Sequence, residues 1–176
     1  PVMVWLHGGA FAYGSGNRAV TAGENLARRG DVVVVSVNHR LNILGYLHLA
    51  ERGGSRFAHS SNAGTLDLIA ALQWVRDNIA EFGGDPPNVT IFGESGGAGT
   101  VSVLLAMPAA KGLFHRAIAE SGSALRLPTA EDGARTARAL LSKLGLQPSD
   151  VARLRTMPYE DILKGEVQRA ISADED

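Results

Sequence analysis

The stretch Val89-Thr90-Ile91-Phe92-Gly93-Glu94-Ser95-Gly96-Gly97 decides the fold. Val89 to Phe92 is a short run rich in β-branched and apolar residues, the pattern of a strand buried on both faces of a parallel sheet. Gly-x-Ser-x-Gly follows directly, and Thr100 to Met107, stopped by Pro108, reads as a helix. A serine in that motif between a strand and a helix has the context of a nucleophile elbow. The flanking glycines let neighbouring backbone approach, and the serine is held out at the top of the sheet near a helix N-terminus. Ser95 is therefore the candidate nucleophile. The five-residue motif alone, without its strand and helix, would carry little weight.

Working outward, Val2 to Leu6 and Val32 to Val37 are two further buried-strand runs, and Ala117 to Ala119 is a fourth. Thr21 to Arg29 carries Ala22, Leu26 and Ala27 at helical spacing, with Gly30 placed to end the helix. Asn62 to Ile79 is a stronger helix, with Leu66, Ile69, Ala70, Leu72, Val75 and Ile79 as its apolar face and Gly83-Gly84-Asp85-Pro86-Pro87 as its stop. From Thr129 onward the sequence is helical, broken at Pro148 and Pro158. Strands alternating with helices predict an α/β fold built on a doubly wound, mostly parallel sheet. In such a sheet ligands gather beyond the carboxyl ends of the strands. There, after the first run, stands His7-Gly8-Gly9-Ala10, a small-residue loop able to aim backbone N–H groups at a developing oxyanion. Gly96, next to the serine, adds its own N–H.

The chain has 176 residues, 45% of them hydrophobic, enough for one substantial core. Lys and Arg number 17 against 18 Asp and Glu, so there is no basic excess to attract a nucleic acid or an anionic membrane surface. No cysteine is present, which excludes disulfides, thiolate metal sites and a cysteine nucleophile and leaves the compartment open. No apolar run approaches the roughly 20 residues of a membrane span. No charged leader precedes Val2, so no signal peptide is read, and both ends are expected to be cuts in something longer.

At these residues the sequence resembles the type-B carboxylesterases of the α/β-hydrolase fold, which include the cholinesterases and para-nitrobenzyl esterases. Phe82-Gly83-Gly84 with Val89 to Gly97 is similar to the family's active-site signature, and His7 to Phe11, Val37 to Leu41, Asn62 to Gly64 and Leu72 to Val75 add to it. The resemblance runs from Pro1 to about Gly165. It implies an α/β-hydrolase whose sheet is incomplete at both ends here, the amino-terminal and central part of one catalytic domain spanning 1–176. Ser95 is then the acyl-accepting nucleophile acting on a small-molecule ester, the N–H groups of Gly9, Ala10 and Gly96 form the oxyanion hole, and neither metal nor organic cofactor is required. The family commonly has Gln, Tyr and Ala where Leu68, His39 and Gly96 stand. Its triad acid and histidine come more than about 100 residues after the serine, so they are expected outside this sequence.

His115 follows Ser95 but enters the fourth strand at its amino end, a strand's length from the active edge, so it is not the expected base. His7 and Gly8 read as loop support, with His7 pinning the glycines. Glu94 adjoins the serine in sequence and therefore points elsewhere, as a buried support or pocket wall, and Ser121 is expected to support the site from the end of the fourth strand. Phe11, Tyr13 and Phe57 are candidate aromatic walls. Gly14-Ser15-Gly16 does not directly follow a strand and is not read as a dinucleotide loop. Asn88-Val89-Thr90 enters a core strand and is not read as a glycosylation site. Two other functions use the same fold: a non-catalytic binding or adhesion module, disfavoured by the intact Ser95 and glycine loop, and an acyltransferase. A sheet with open edges predicts that the isolated chain aggregates.

Overall fold

The computed structural model describes residues 1–164. In chain order the elements are β1 (Val2–Leu6), α1 (Glu24–Gly30), β2 (Val33–Val37), α2 (Asn42–Tyr46), α3 (Ala50–Gly53), α4 (Ala63–Asn78), β3 (Val89–Glu94), α5 (Gly96–Ala106), β4 (Arg116–Glu120) and α6 (Ala130–Lys143), with short 3₁₀ turns between them. Backbone proximity divides the chain into two compact units. One comprises residues 1–41 and 64–127, the other, among the described residues, 42–63 and 128–164.

The first unit is built on a parallel sheet of order β2-β1-β3-β4. The chain leaves β1 to one side, forms β2, then crosses back over β1 to form β3 and β4. This reversal of direction between β1 and β3 is the switch point at which open α/β sheets carry their ligand sites. Val2, Val4, Leu6, Val89 and Ile91 are nearly or wholly excluded from solvent, together with Leu68, Leu72 and Val75 of α4 and Val101 and Leu104 of α5. On the opposite face Met3, Trp5, Thr90 and Phe92 are half-buried, with the Trp5 and Phe92 rings 5.0 Å apart. The two central strands therefore bury one face fully and the other only in part, less than the uninterrupted apolar runs predict.

Several boundaries move. The helix after the elbow begins at Gly96, not Thr100. Gly96, Gly97 and Gly99 are poor helix formers on propensity, but tertiary packing overrides it: Gly97 abuts the Leu6 carbonyl at the end of β1, Gly96 the Ala10 backbone and Gly99 the Phe11 ring. Helix α1 starts at Glu24, buries no residue, and runs through Gly30; Asp31, at φ 49°, takes the left-handed cap expected of the glycine. On α4 the buried positions are Leu68, Ile69, Leu72 and Val75, whereas Ala70 is exposed.

In the second unit α6 carries Ala137, Leu140 and Leu141, which pack with Leu47, Leu49, Leu146 and Val151. Thr129 caps α6 with its hydroxyl on the Asp132 N–H, and Asp132 returns a bond to the Thr129 N–H, a reciprocal box that satisfies two first-turn donors. Pro148 opens a 3₁₀ segment to Arg155, and helical conformation resumes at Tyr159. The short helices α2 and α3 are too brief for a periodic signal. The helical reading past residue 164 lies outside the described residues.

Candidate active site

The sheet register assembles the site. Leu6 pairs with Val37 on one side and Gly93 on the other, so His7, Asn38 and Glu94 leave the sheet along one carboxyl edge. Ser95 follows with φ 54° and ψ −118°, a conformation that residues with a Cβ rarely adopt. It is held from both sides: its N–H donates to the Glu120 carbonyl at 2.9 Å, and its carbonyl accepts from the Gly99 N–H at 3.0 Å. Glycines clear the space. A Cβ on Gly97 would lie 2.0 Å from the Leu6 carbonyl oxygen, and one on Gly122 would lie 2.5 Å from that of Ser95.

The glycine loop meets the elbow backbone to backbone. A Cβ on Gly8 would lie 2.8 Å from the Glu94 carbonyl oxygen, and one on Gly96 would lie 2.8 Å from the Ala10 nitrogen. Gly9 (φ 115°) and Ala10 (φ 52°) are left-handed, and the Gly9 carbonyl accepts from the N–H groups of Ala12 and Tyr13 at 2.9 and 3.1 Å. Among the described residues no protein acceptor takes the Gly9 or Ala10 N–H. Gly96 opens α5, where first-turn amides lack intrahelical acceptors. A serine in a strained backbone conformation thus shares a cavity wall with Gly9 and Ala10 and is followed by Gly96, an arrangement that suits attack on a carbonyl whose oxygen becomes negative.

His7 is 6% exposed, and its Nδ1 lies 2.8 Å from the Gly8 carbonyl, to which it donates in the tautomer with hydrogen on Nδ1. Its ring lies 4.9 Å from that of His39. Burial first, then the His7 imidazole, against the pull of Asp67, lowers the His39 pKa from 6.5 to about 4, so this ring is neutral at pH 7. Asp67 is held below the usual carboxylate range chiefly by hydrogen bonds from the Arg40 guanidinium, at 2.7 and 2.8 Å. The Arg40–Asp67 ion pair thus lies near His39, whose buried Nδ1 has no hydrogen-bond partner among the described residues. Leu68 is fully excluded from solvent in the apolar core beside it.

A cavity of about 270 Å³ opens at this edge, with Ser95, Glu94, Gly8 to Ala10 and Arg18 in its wall. Glu94 is an exposed wall residue, not a buried support. Ser121 is exposed at φ 54°, and among the described residues its hydroxyl makes no hydrogen bond; the contact from β4 to the serine comes from the Glu120 carbonyl. Tyr13 lines the cavity, Phe11 packs over Gly99, and Phe57, expected as a wall, lies in the second unit's apolar cluster because its ring packs beside Gly53. His115 bonds both ways to Val89, its N–H to the carbonyl at 2.8 Å and its Nδ1 from the N–H at 3.2 Å. That is the far end of β3, about 17 Å from the elbow at 3.3 Å per residue.

Sequence reasoning did not assign Trp5, Arg18, Asn38 or Glu120 to the site: Asn38 lies in the Val37 to Leu41 stretch that resembles the family but had no role read for it, the others show no motif, and all four join the site through sheet register and a surface loop. Among the described residues no group of three or more His, Asp or Glu is placed to hold a metal ion, and no helix is long and apolar enough to cross a membrane.

The profile of the carboxylesterase family matches residues 1–175. The chain is 50% identical over 175 residues to the para-nitrobenzyl esterase of Bacillus subtilis, covering 99% of this chain and 35% of that protein. It is 40% identical to the phenmedipham hydrolase of Pseudarthrobacter oxydans, over 95% of this chain and 32% of the relative. The crystal structure of a Geobacillus stearothermophilus carboxylesterase superposes with a TM-score of 0.92 at 48% identity, covering 96% of this chain and 35% of the other. The chain thus spans about a third of the length of these relatives. The doubly wound sheet is that of the α/β-hydrolase esterases, and the chain belongs to the carboxylesterase family.

Proposed function

We propose that this chain carries the nucleophile and oxyanion hole of a serine carboxylesterase, as the amino-terminal and central part of one catalytic domain. The observation that carries the reading is the strained Ser95, with φ 54° and ψ −118°, in an elbow whose Gly96 closes directly on the Ala10 backbone. Ser95 Oγ attacks the carbonyl carbon of a small-molecule ester while a histidine elsewhere in the full-length protein takes its proton. The carbonyl oxygen becomes an oxyanion that accepts from the N–H groups of Gly9, Ala10 and Gly96. When the tetrahedral intermediate collapses, the C–O bond to the alcohol breaks and the alkoxide takes the proton back from the histidine. Water then repeats the attack on the acyl-serine, releasing the acid and restoring the hydroxyl. His7 and Gly8 support the loop, Glu94 forms a wall, and Ser121 borders the elbow.

The test is Ser95→Ala in the full-length protein. Ester hydrolysis is expected to fall by about 10⁴-fold or more. Activity within about tenfold of wild type overturns the assignment.

A further inference from the structure

We infer that Arg18 gives this site a preference for esters that carry a carboxylate elsewhere in the molecule, an inference that rests on the nucleophile reading above. Arg18 and Ser95 stand in the wall of the same cavity of about 270 Å³. Among the described residues Arg18, like most of the arginines, has no carboxylate within ion-pair distance (Arg40, Arg76 and Arg135 each pair with an aspartate), but it is the arginine in the wall beside the nucleophile. Arg18 is exposed at the rim of this cavity, and its guanidinium, unmatched by any acid in the described wall, is the kind of planar donor that takes a carboxylate in bidentate fashion.

The loop that presents Arg18 is tied down. Asn38 Oδ1, at the end of β2, accepts from the Gly16 N–H at 2.9 Å and from Ser15 Oγ at 3.3 Å, and Ser15 Oγ accepts from the Asn17 N–H at 3.0 Å. The Arg18 carbonyl accepts from the Thr21 N–H at 3.0 Å and its hydroxyl at 3.2 Å. The backbone on both sides of Arg18 is therefore anchored, and the cost of ordering falls on the side chain alone.

The other formally charged side chain in the described wall is Glu94. Its Oε2 lies 3.2 Å from the point a Gly8 Cβ would occupy, which places it against the glycine loop beside the nucleophile. A substrate carboxylate is repelled from the Glu94 side and drawn to the Arg18 side. The pair thus orients an anionic ester as well as binding it.

The experiment compares kcat/KM in the full-length protein for monoethyl adipate against ethyl hexanoate, and for 4-acetoxybutanoate against butyl acetate. These pairs put the carboxylate on the acyl and on the alcohol part respectively. In Arg18→Gln the ratio of carboxylate to neutral ester is expected to fall about fivefold for at least one pair, the upper range for a solvent-accessible ion pair. Arg18→Glu lowers it further, Arg18→Lys retains part of it, and raising the salt concentration lowers the wild-type ratio. Ratios within about 1.5-fold of wild type for both pairs in both Arg18→Gln and Arg18→Glu overturn this inference while leaving the esterase reading intact. If wild type hydrolyses an activated neutral ester such as 4-nitrophenyl acetate but none of these four, this inference falls and the esterase reading stands; if it hydrolyses no ester at all, the esterase reading falls first.

Discussion

Gly97→Ala is the most demanding test of how the elbow is built. The added Cβ would sit 2.0 Å from the Leu6 carbonyl oxygen, 2.9 Å from the Leu6 carbonyl carbon and 3.0 Å from the His7 carbonyl oxygen. All three are backbone atoms, so no rotamer change relieves the contact, and the end of β1 and the start of α5 must separate by about 1.5 Å to restore ordinary contact distances. Overpacking costs typically about 1–3 kcal/mol, and a site where only backbone can yield belongs at or beyond the top of that range. Alanine's better helix propensity offsets about 1 kcal/mol. The expected net destabilisation is about 2–3 kcal/mol, read as a lowered urea midpoint at unchanged slope in the full-length protein. The same displacement moves His7 to Ala10 away from Ser95, so the loss of kcat should exceed what the unfolded fraction explains. Gly30→Ala is the control: its Cβ would meet only side-chain atoms at 3.6 Å or more, and the variant should be neutral or slightly stabilised. If Gly97→Ala shifts stability by less than about 0.5 kcal/mol, the close approach of strand and helix does not shape the elbow.

Three further outcomes follow from the geometry. The lowered His39 pKa means the folded state binds fewer protons than the unfolded state between pH 6.5 and about 4, so stability rises with pH through that window and levels off above it. The ceiling is about 3.4 kcal/mol, discounted to about 1 kcal/mol for the ring's partial exposure, and His39→Phe should flatten that part of a stability-against-pH curve. Asp67→Asn should cost about 0.5–1 kcal/mol at pH 7, since the Arg40 pair is partly exposed. Because Asp67's pKa is lowered in the fold, that contribution is present above the ordinary carboxylate pKa and fades as pH falls through the lowered value, so the variant and wild type should converge in strong acid. Finally, β4 is largely exposed, with Ile118 at 42%, so the isolated 176-residue chain should aggregate; a monomer melting cooperatively in light scattering and calorimetry would contradict this.

Sequence by itself determined the four strands, the long helix α4 and the Ser95 turn, because buried parallel strands and glycine-flanked serines leave local signatures that do not depend on what they pack against. The glycine loop at 7–10 was legible for the same reason: small residues directly after a strand carry meaning in any α/β sheet. It could not place Leu68 in the core or start α5 at Gly96. Propensity treats three glycines as loop, whereas the Leu6 carbonyl leaves room for nothing larger at Gly97. Tertiary structure alone decided that β1 and β3 are neighbours at the switch point, which joins residues 8–10 to residues 94–96. It alone gave Glu120, Asn38 and Arg18 their places at the site: Glu120 and Arg18 lie in no motif, and the Val37 to Leu41 stretch assigns Asn38 no role. Spacing along a chain records periodicity and local geometry, and the residues that meet across a sheet edge are set by register and crossover.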